Sequence, residues 1–254
     1  MNFDLVMIAT LRPELLSVTI ESFKENLFQD RLAKTNLIIN IDLTGINDPK
    51  SEKFKFFEIM EIINFYKFNE VKLRYTSFPN FATAWFWGMS QVTKPLVFYL
   101  EEDWELIKKV NLNRLIKQFN DNDNLAHLRL SAFPSTEETC KNWNKFTYWN
   151  GHYFEVREED KGNIGWAGHP SMNRTSFMKE AIKFMNFSAN PEKQIKGRRY
   201  HHPINSTIKR HDFGVFTNPN SNKQVVDLGR HWMIKNGWRK SGNKAFFTNW
   251  EKID

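Results

Sequence analysis

The chain has 254 residues, 41% hydrophobic and 15% aromatic, ample for a core, and no apolar run approaches the ~20 residues that cross a bilayer. Cys140 is the single cysteine, which excludes an intrachain disulfide and any multi-cysteine zinc site; with no charged leader before the first strand, a reducing cytoplasm is the expected compartment. The net charge of +7 is uneven: residues 193–254 carry 13 Lys/Arg against 4 Asp/Glu, and the first 192 residues carry 23 against 25, so an anionic partner is expected for the C-terminal quarter.

Asp4 to Ala9 is a run of strand formers that ends in the turn Thr10-Leu11-Arg12-Pro13. Proline with Glu14 behind it suits the first turn of a helix, and Leu15, Leu16, Ile20, Phe23 and Leu27 recur at helical spacing, so residues 13–27 are expected to be helical. A second strand, Asn36 to Asp42, ends in a carboxylate followed by Leu43-Thr44-Gly45. A longer helix carries Phe54, Phe57, Ile59, Ile62, Ile63 and Tyr66, and Val71 to Tyr75 alternates in the manner of a strand near a sheet edge. Residues 80–92 read as a helix with Ala82, Ala84, Trp85 and Met89, in which Gly88 allows close packing.

The fourth strand carries the strongest signal. Leu96 to Leu100 is uniformly apolar, as in a parallel sheet covered on both faces, and it ends in Glu101-Glu102-Asp103-Trp104. Three adjacent carboxylates repel one another unless a cation sits among them. Ligands of α/β sheets bind at the carboxyl edge of the strands, and oxygen donors suit Mg2+ or Mn2+. The competing reading is a solvated acidic turn. Strands alternating with helices through the first hundred residues imply βαβ units and a mostly parallel sheet.

Beyond the acids, Val110 to Phe119 is expected to be helical and Leu125 to Leu130 a strand, and residues 131–150 look irregular. His152 to Val156 reads as a hairpin strand turning through Glu158 to Asn163. Asn173 to Ser176 offers caps for a helix over 175–186, and Asn190-Pro191-Glu192 opens another. Short strands are expected near Phe213 to Phe216 and Gln224 to Leu228.

The order and spacing of Thr10-Leu11-Arg12-Pro13, Asp42 and Glu101-Glu102-Asp103 resembles the GT-A glycosyltransferases, especially the family 2-like group that uses nucleotide-diphosphate sugars. The acid triplet looks like a variant of that family's Asp-x-Asp motif, with Glu101 in place of the first Asp. The resemblance covers residues 4–104 and is weaker over 150–232. It implies one GT-A, Rossmann-like domain over 1–254, with a mostly parallel sheet flanked by helices. Residues 1–104 would form the nucleotide-binding half and 105–254 a smaller acceptor-side region ending in the basic segment.

The implied activity is metal-dependent transfer of a sugar from a nucleotide-diphosphate donor to an acceptor hydroxyl, inverting in outcome. Glu101 and Asp103 would hold Mn2+ or Mg2+, with His231 completing the shell and His211 its rival. Thr10, Arg12 and Asp42 would line the nucleotide pocket, Glu102 would point either into the protein or toward the sugar hydroxyls, Trp166 would line the sugar or acceptor site, and Arg230 would pair with the phosphates. Glu192 would be the general base, with Glu155, Glu158, Glu159 and Asp160 as competitors. Gly165 to Ser171 would line the sugar or acceptor site. The acceptor is a glycan or a hydroxylated base in DNA gripped by the basic tail. A sugar-phosphate nucleotidyltransferase is the second enzyme reading, though Ala9 to Pro13 lacks the glycines that class carries after its first strand. A non-catalytic nucleic-acid-binding protein is the third, and it leaves the acid triplet unexplained.

Overall fold

The computed structural model describes residues 3–43, 49–76, 80–135, 145–196, 202–241 and 249–252. In chain order the elements are β1 (Phe3–Thr10), α1 (Pro13–Phe23), β2 (Asn36–Asp42), α2 (Pro49–Tyr66), β3 (Glu70–Thr76), α3 (Phe81–Ser90), β4 (Leu96–Glu101), β5 (Trp104–Leu106), α4 (Leu112–Asp121) and β6 (Leu125–Leu130). They continue through β7 (Thr147–Trp149), β8 (Phe154–Val156), β9 (Ser171–Arg174), α5 (Thr175–Ile182), α6 (Pro191–Lys196), α7 (His202–Lys209), β10 (Asp212–Phe216), β11 (Val225–Asp227), α8 (Gly229–Lys235), β12 (Trp238–Ser241) and β13 (Asn249–Lys252).

Among the described residues nine strands form one sheet in the order β3-β2-β1-β4-β9-β6-β10-β8-β7. β3, β2, β1 and β4 are mutually parallel, as are β6 and β10, while β9 lies antiparallel between β4 and β6. The fold is the expected mostly parallel α/β sheet with helices on both faces. Alternation along β1 and β4 explains why residues 5–9 and 96–100 are apolar without a break. Leu5, Met7, Phe98 and Leu100 pack into one core with Leu16, Ile20 and Phe23 of α1, whereas Val6, Ile8, Val97 and Tyr99 pack into the other with Trp85 and Met89 of α3. Each fully buried Leu or Phe contributes roughly 1.5–3 kcal/mol, so the centre of the sheet is the most stable part of the molecule. Gly88 of α3 lies directly over β1, where a Cβ would come within 2.9 Å of Val6 Cγ1.

α1 begins as its Pro13 and Glu14 dictate but stops at Phe23, because residues 24–28 widen into a π-type turn that turns Leu27 and Phe28 into the core. Asn80 and Asn111 cap α3 and α4 by accepting the N–H of Thr83 and Arg114. Three other elements differ from the sequence expectation. β8 pairs with the preceding β7, and residues 158–164 are helical turns rather than a returning hairpin. β9 occupies the polar stretch expected to cap a helix: Asn173 turns its amide into the core, and Arg174 donates to the carbonyls of Phe119, Asn122 and Leu125 instead. α7 occupies part of the basic region expected to be irregular. Of the irregular stretch expected over 131–150, residues 136–144, with Cys140, lie outside the described residues, as do Thr44, Gly45, Arg198 and Arg199.

Parallel pairing brings the carboxyl ends of β1, β2 and β4 to one edge, with Thr10 opposite Asp42 and Ile8 opposite Glu101. β5 continues from the acid triplet, and β11 returns antiparallel beside it with Asp227 opposite Trp104. The C-terminal segment is thereby delivered to the same edge.

Candidate active site

The acid triplet divides into three environments. Glu102 points inward and is 3% exposed. Its Oε1 accepts from the Thr10 N–H (2.9 Å), the Thr10 hydroxyl (2.6 Å) and Arg12 Nε and Nη2 (2.9 and 2.5 Å), and its own carbonyl accepts from the Thr19 hydroxyl. A charge-assisted network of this kind rigidifies the strand end, and removing one partner of such a buried pair is expected to cost several kcal/mol. Of the two directions expected for it, Glu102 takes the one into the protein, where it fixes Thr10 and Arg12 in place.

Arg12 is also buried and joins two of the acids, with Nη2 reaching Asp103 Oδ2 at 3.0 Å. Burial opposes its charge, yet Glu102 and Asp103 outweigh burial and hold the guanidinium ionised above its ordinary pKa. Trp232 of α8 covers it at 5.2 Å while donating its indole N–H to Glu14. Asp103 sits at the cleft edge. Its carbonyl accepts from Leu228, and its carboxylate lies against Gly229, the first residue of α8, where a Cβ would fall 2.1 Å from Oδ2. Only glycine fits there.

Glu101 faces the second side of the sheet and accepts the Tyr99 hydroxyl at 2.9 Å. It meets Glu192 of α6 across Gly168: a Cβ on that glycine would lie 3.3 Å from Glu101 Oε1 and 3.7 Å from Glu192 Oε2, so the two oxygens are at most about 7 Å apart. Tyr99 is held well above its ordinary pKa by burial and then by Glu101, Glu192 and Asp103, which shows these acids share one electrostatic neighbourhood. Burial pushes the Glu192 carboxyl up, but Lys196, which is ion-paired to it, together with His169 and Lys193, draws it below its ordinary value. His169 stacks on Trp104 at 5.1 Å and is lowered to about 4, first by burial and then by Arg129.

The remaining expected site residues fall elsewhere. Asp42 is 4% exposed and spends its oxygens on Asn40 Nδ2 (2.7 Å) and the Asn80 N–H (3.0 Å), so it ties β2 to the start of α3; burial foremost raises its pKa. Trp166 was expected to line the sugar site but is fully buried, packed on Trp85, Tyr99 and His127, and its indole donates to Asn173. An indole flanked by glycines reads like a sugar platform, but here it fills core volume, and only Gly168 and His169 of its segment reach the cleft. Arg230 and His231 are exposed on the first turn of α8, next to Gly229. His211 lies at the opposite, amino-terminal edge of β10, hydrogen-bonded to the Thr207 carbonyl.

Among the described residues no three His, Cys, Asp or Glu side chains gather as a metal cluster, so Glu101, Asp103 and His231 do not form the expected three-donor shell. Arg12 engages Asp103, and His231 points to solvent. Two carboxylates at a cleft edge suit a divalent ion that takes most of its shell from substrate phosphates and water, the habit of Mg2+, rather than a closed protein cage. His169, Tyr99, Lys196 and Trp232 lie around these acids, and Arg129 lies beyond them near His169. The one trace of Arg129 in the sequence was a charged residue inside β6.

The chain has the GT-A fold, a mostly parallel α/β sheet whose carboxyl edge carries these acids. No protein-family model matches the chain, and no curated sequence matches it. Among solved structures it is similar to S. aureus TarS, at 10% identity and a TM-score of 0.56, covering 88% of this chain and 36% of that one. It is similar to TarS residues 1–349 at 13% identity and a TM-score of 0.51, covering 88% and 59%. It also resembles the mannosyltransferase PcManGT of Pyrobaculum calidifontis, solved with GDP-Man and Mn2+, at 9% identity and a TM-score of 0.51, covering 93% and 61%. The chain thus spans about a third to three-fifths of the length of these structures. No helix among the described residues is long and apolar enough to cross a membrane.

Proposed function

We propose that this chain transfers a sugar from a nucleotide-diphosphate donor to an acceptor hydroxyl, with inversion. The observation that carries the reading is the meeting of Glu101 and Glu192 across Gly168, beside the Arg12–Asp103 pair, at the ligand edge of a GT-A sheet. Asp103 and Glu101 would hold a divalent cation, Mg2+ or Mn2+, whose chemistry is to offset the charge that develops on the departing diphosphate. Arg12 pairs with Asp103 and orients it, and Glu102 keeps Arg12 in place. Arg230 and His231, exposed on the first turn of α8 next to Gly229, would supply charge to the phosphates. Thr10 and Asp42 border the nucleotide side.

Glu192 is the general base. Lys196 keeps it deprotonated at neutral pH despite partial burial, so it is ready to accept the acceptor's proton. Gly168 lets Glu101 and Glu192 approach each other, since a Cβ there would already press on Glu101 Oε1 at 3.3 Å. GDP-Man in the PcManGT structure supports a nucleotide-sugar donor.

The test is a panel of nucleotide-diphosphate sugars, each with Mn2+, Mg2+ or chelator, scored by the rise in melting temperature and by donor hydrolysis. At least one donor should stabilise the protein with metal, and Glu192→Gln should keep that stabilisation while losing roughly 10²–10⁴-fold in turnover. Absence of stabilisation by every donor would overturn the reading.

A further inference from the structure

A cavity of about 260 Å³ opens at the carboxyl end of β6, lined by Arg129, Phe133, Phe146, Ile164, His169 and Val215 among others. Its walls are mainly apolar, and two of its aromatics, Phe133 and Phe146, are exposed to solvent by 57% and 41%. The volume lies just below the ~300–1,000 Å³ usual for ligand pockets and suits one ring rather than a long chain.

Arg129 is the cation of this cavity. Its Nη1 donates to the Ile164 carbonyl at 2.9 Å, and among the described residues no carboxylate forms an ion pair with it. Burial lowers its pKa to about 10, with Glu192 the opposing influence, so it stays charged at neutral pH. The other titratable group on the wall, His169, is uncharged there. A guanidinium on an apolar wall, without a carboxylate in contact, is costly unless an oxyanion completes it, and its planar fork matches carboxylate or phosphate geometry. The cavity also lies next to the Glu101–Glu192 pair: His169 lines it, and a Cβ on the neighbouring Gly168 would come within 4 Å of both carboxylates.

We propose that this cavity seats the acceptor, and that the acceptor is a sugar ring bearing one oxyanion group, carboxylate or phosphate, paired with Arg129 while its apolar face lies on Phe133 and Phe146. The inference rests on the glycosyl-transfer reading and adds the class of acceptor to it. A ring so held brings its hydroxyls toward Glu192.

The test titrates the full chain, without donor, with three 4-nitrophenyl glycosides followed by ligand-detected NMR: the neutral glucoside, the glucuronide and the glucoside 6-phosphate. At least one acidic probe should bind tenfold or more tightly than the neutral one, and which of the two does so tells carboxylate from phosphate. Arg129→Met should erase that preference and leave the donor-induced rise in melting temperature. Should that variant fail to fold, Phe146→Ala, at the exposed rim, should weaken all three probes and leave their ratio unchanged. Equal affinity for the three probes, binding of none, or a preference that survives Arg129→Met would overturn the proposal. Donor stabilisation without acidic preference removes only this inference, whereas acidic preference without any donor stabilisation removes the transferase reading.

Discussion

Gly229→Ala tests the link between the C-terminal segment and the acid triplet. β11 pairs with β5 and so delivers Gly229 onto Asp103, where an added Cβ would stand 2.1 Å from Oδ2, 2.8 Å from Cγ and 3.2 Å from Cβ of that aspartate. Real Cβ contacts begin near 3.4 Å, so the carboxylate or the start of α8 must retreat by more than an ångström. The aspartate is not free to rotate away, since Arg12 Nη2 holds it at 3.0 Å and Leu228 donates to its carbonyl at 2.8 Å. Overpacking of this kind costs about 1–3 kcal/mol in stability. If Asp103 anchors the metal and diphosphate, a displacement of about 1 Å should cost on the order of 10²-fold in activity. The assay pairs urea unfolding with titration of nucleoside diphosphate and Mn2+, and Gly88→Ala serves as the comparison. That substitution also crowds a core contact, at 2.9 Å from Val6 Cγ1, but on the far side of β1 from Asp103. Gly88→Ala should lower stability and leave affinity intact, whereas Gly229→Ala should lower both. If Gly229→Ala binds nucleoside diphosphate and Mn2+ as the wild type does, Asp103 is not the anchor.

The remaining expectations concern charge. Arg12→Met leaves Glu102 buried without its cation and should cost about 3–5 kcal/mol in urea unfolding, while Glu102→Gln in the same chain should recover part of the loss; a loss below 1 kcal/mol would mean the network is not structural. Lys196→Met removes the cation that offsets burial of Glu192, so the acidic limb of donor hydrolysis should move to higher pH; an unmoved limb would exclude Glu192 as the base. His169 titrates near 4 in the folded chain against 6.5 ordinarily, so the unfolded chain takes up its proton first. Its contribution is complete above about pH 6.5 and is lost as the pH falls toward 4, at most about 3 kcal/mol. Unfolding free energies at pH 7 and 4.5 should therefore differ less in His169→Gln than in the wild type, and an equal difference would show that another group carries the loss.

The central sheet was legible because periodicity and burial agree there. β2 and β6 have the bounds the sequence suggests, and the apolar residues 5–9 of β1 and 96–100 of β4 are buried on both faces. What the sequence could not convey was which polar residues satisfy one another inside. Asn173, His127 and Trp166 form a buried group in which the Asn173 carbonyl accepts from both His127 Nδ1 and the Trp166 indole. Sequentially Asn173 reads as a cap, Trp166 as a sugar platform and His127 as one residue of a strand, and only the antiparallel insertion of β9 between β4 and β6 brings them together.

The same limit applies to the acids. Glu101, Glu102 and Asp103 are consecutive, yet alternation across the sheet sends Glu101 toward Gly168 and Glu192 on one face and Glu102 toward Thr10 and Arg12 on the other. A contiguous acidic run is thus two half-sites joined by a strand end. One is a buried ion-pair network that positions Asp103. The other is a partly exposed pair of carboxylates, at most about 7 Å apart across Gly168, the residue before His169 on the wall of the Arg129 cavity. Because Glu102 is bonded inward on the same short segment, motion of Glu101 and Asp103 relative to each other is restrained by Arg12 and Thr10. That coupling makes the order of sensitivity a physical expectation: substitutions at Arg12 and Glu102 disturb both half-sites through stability, whereas those at Asp103 and Glu192 disturb one each through chemistry.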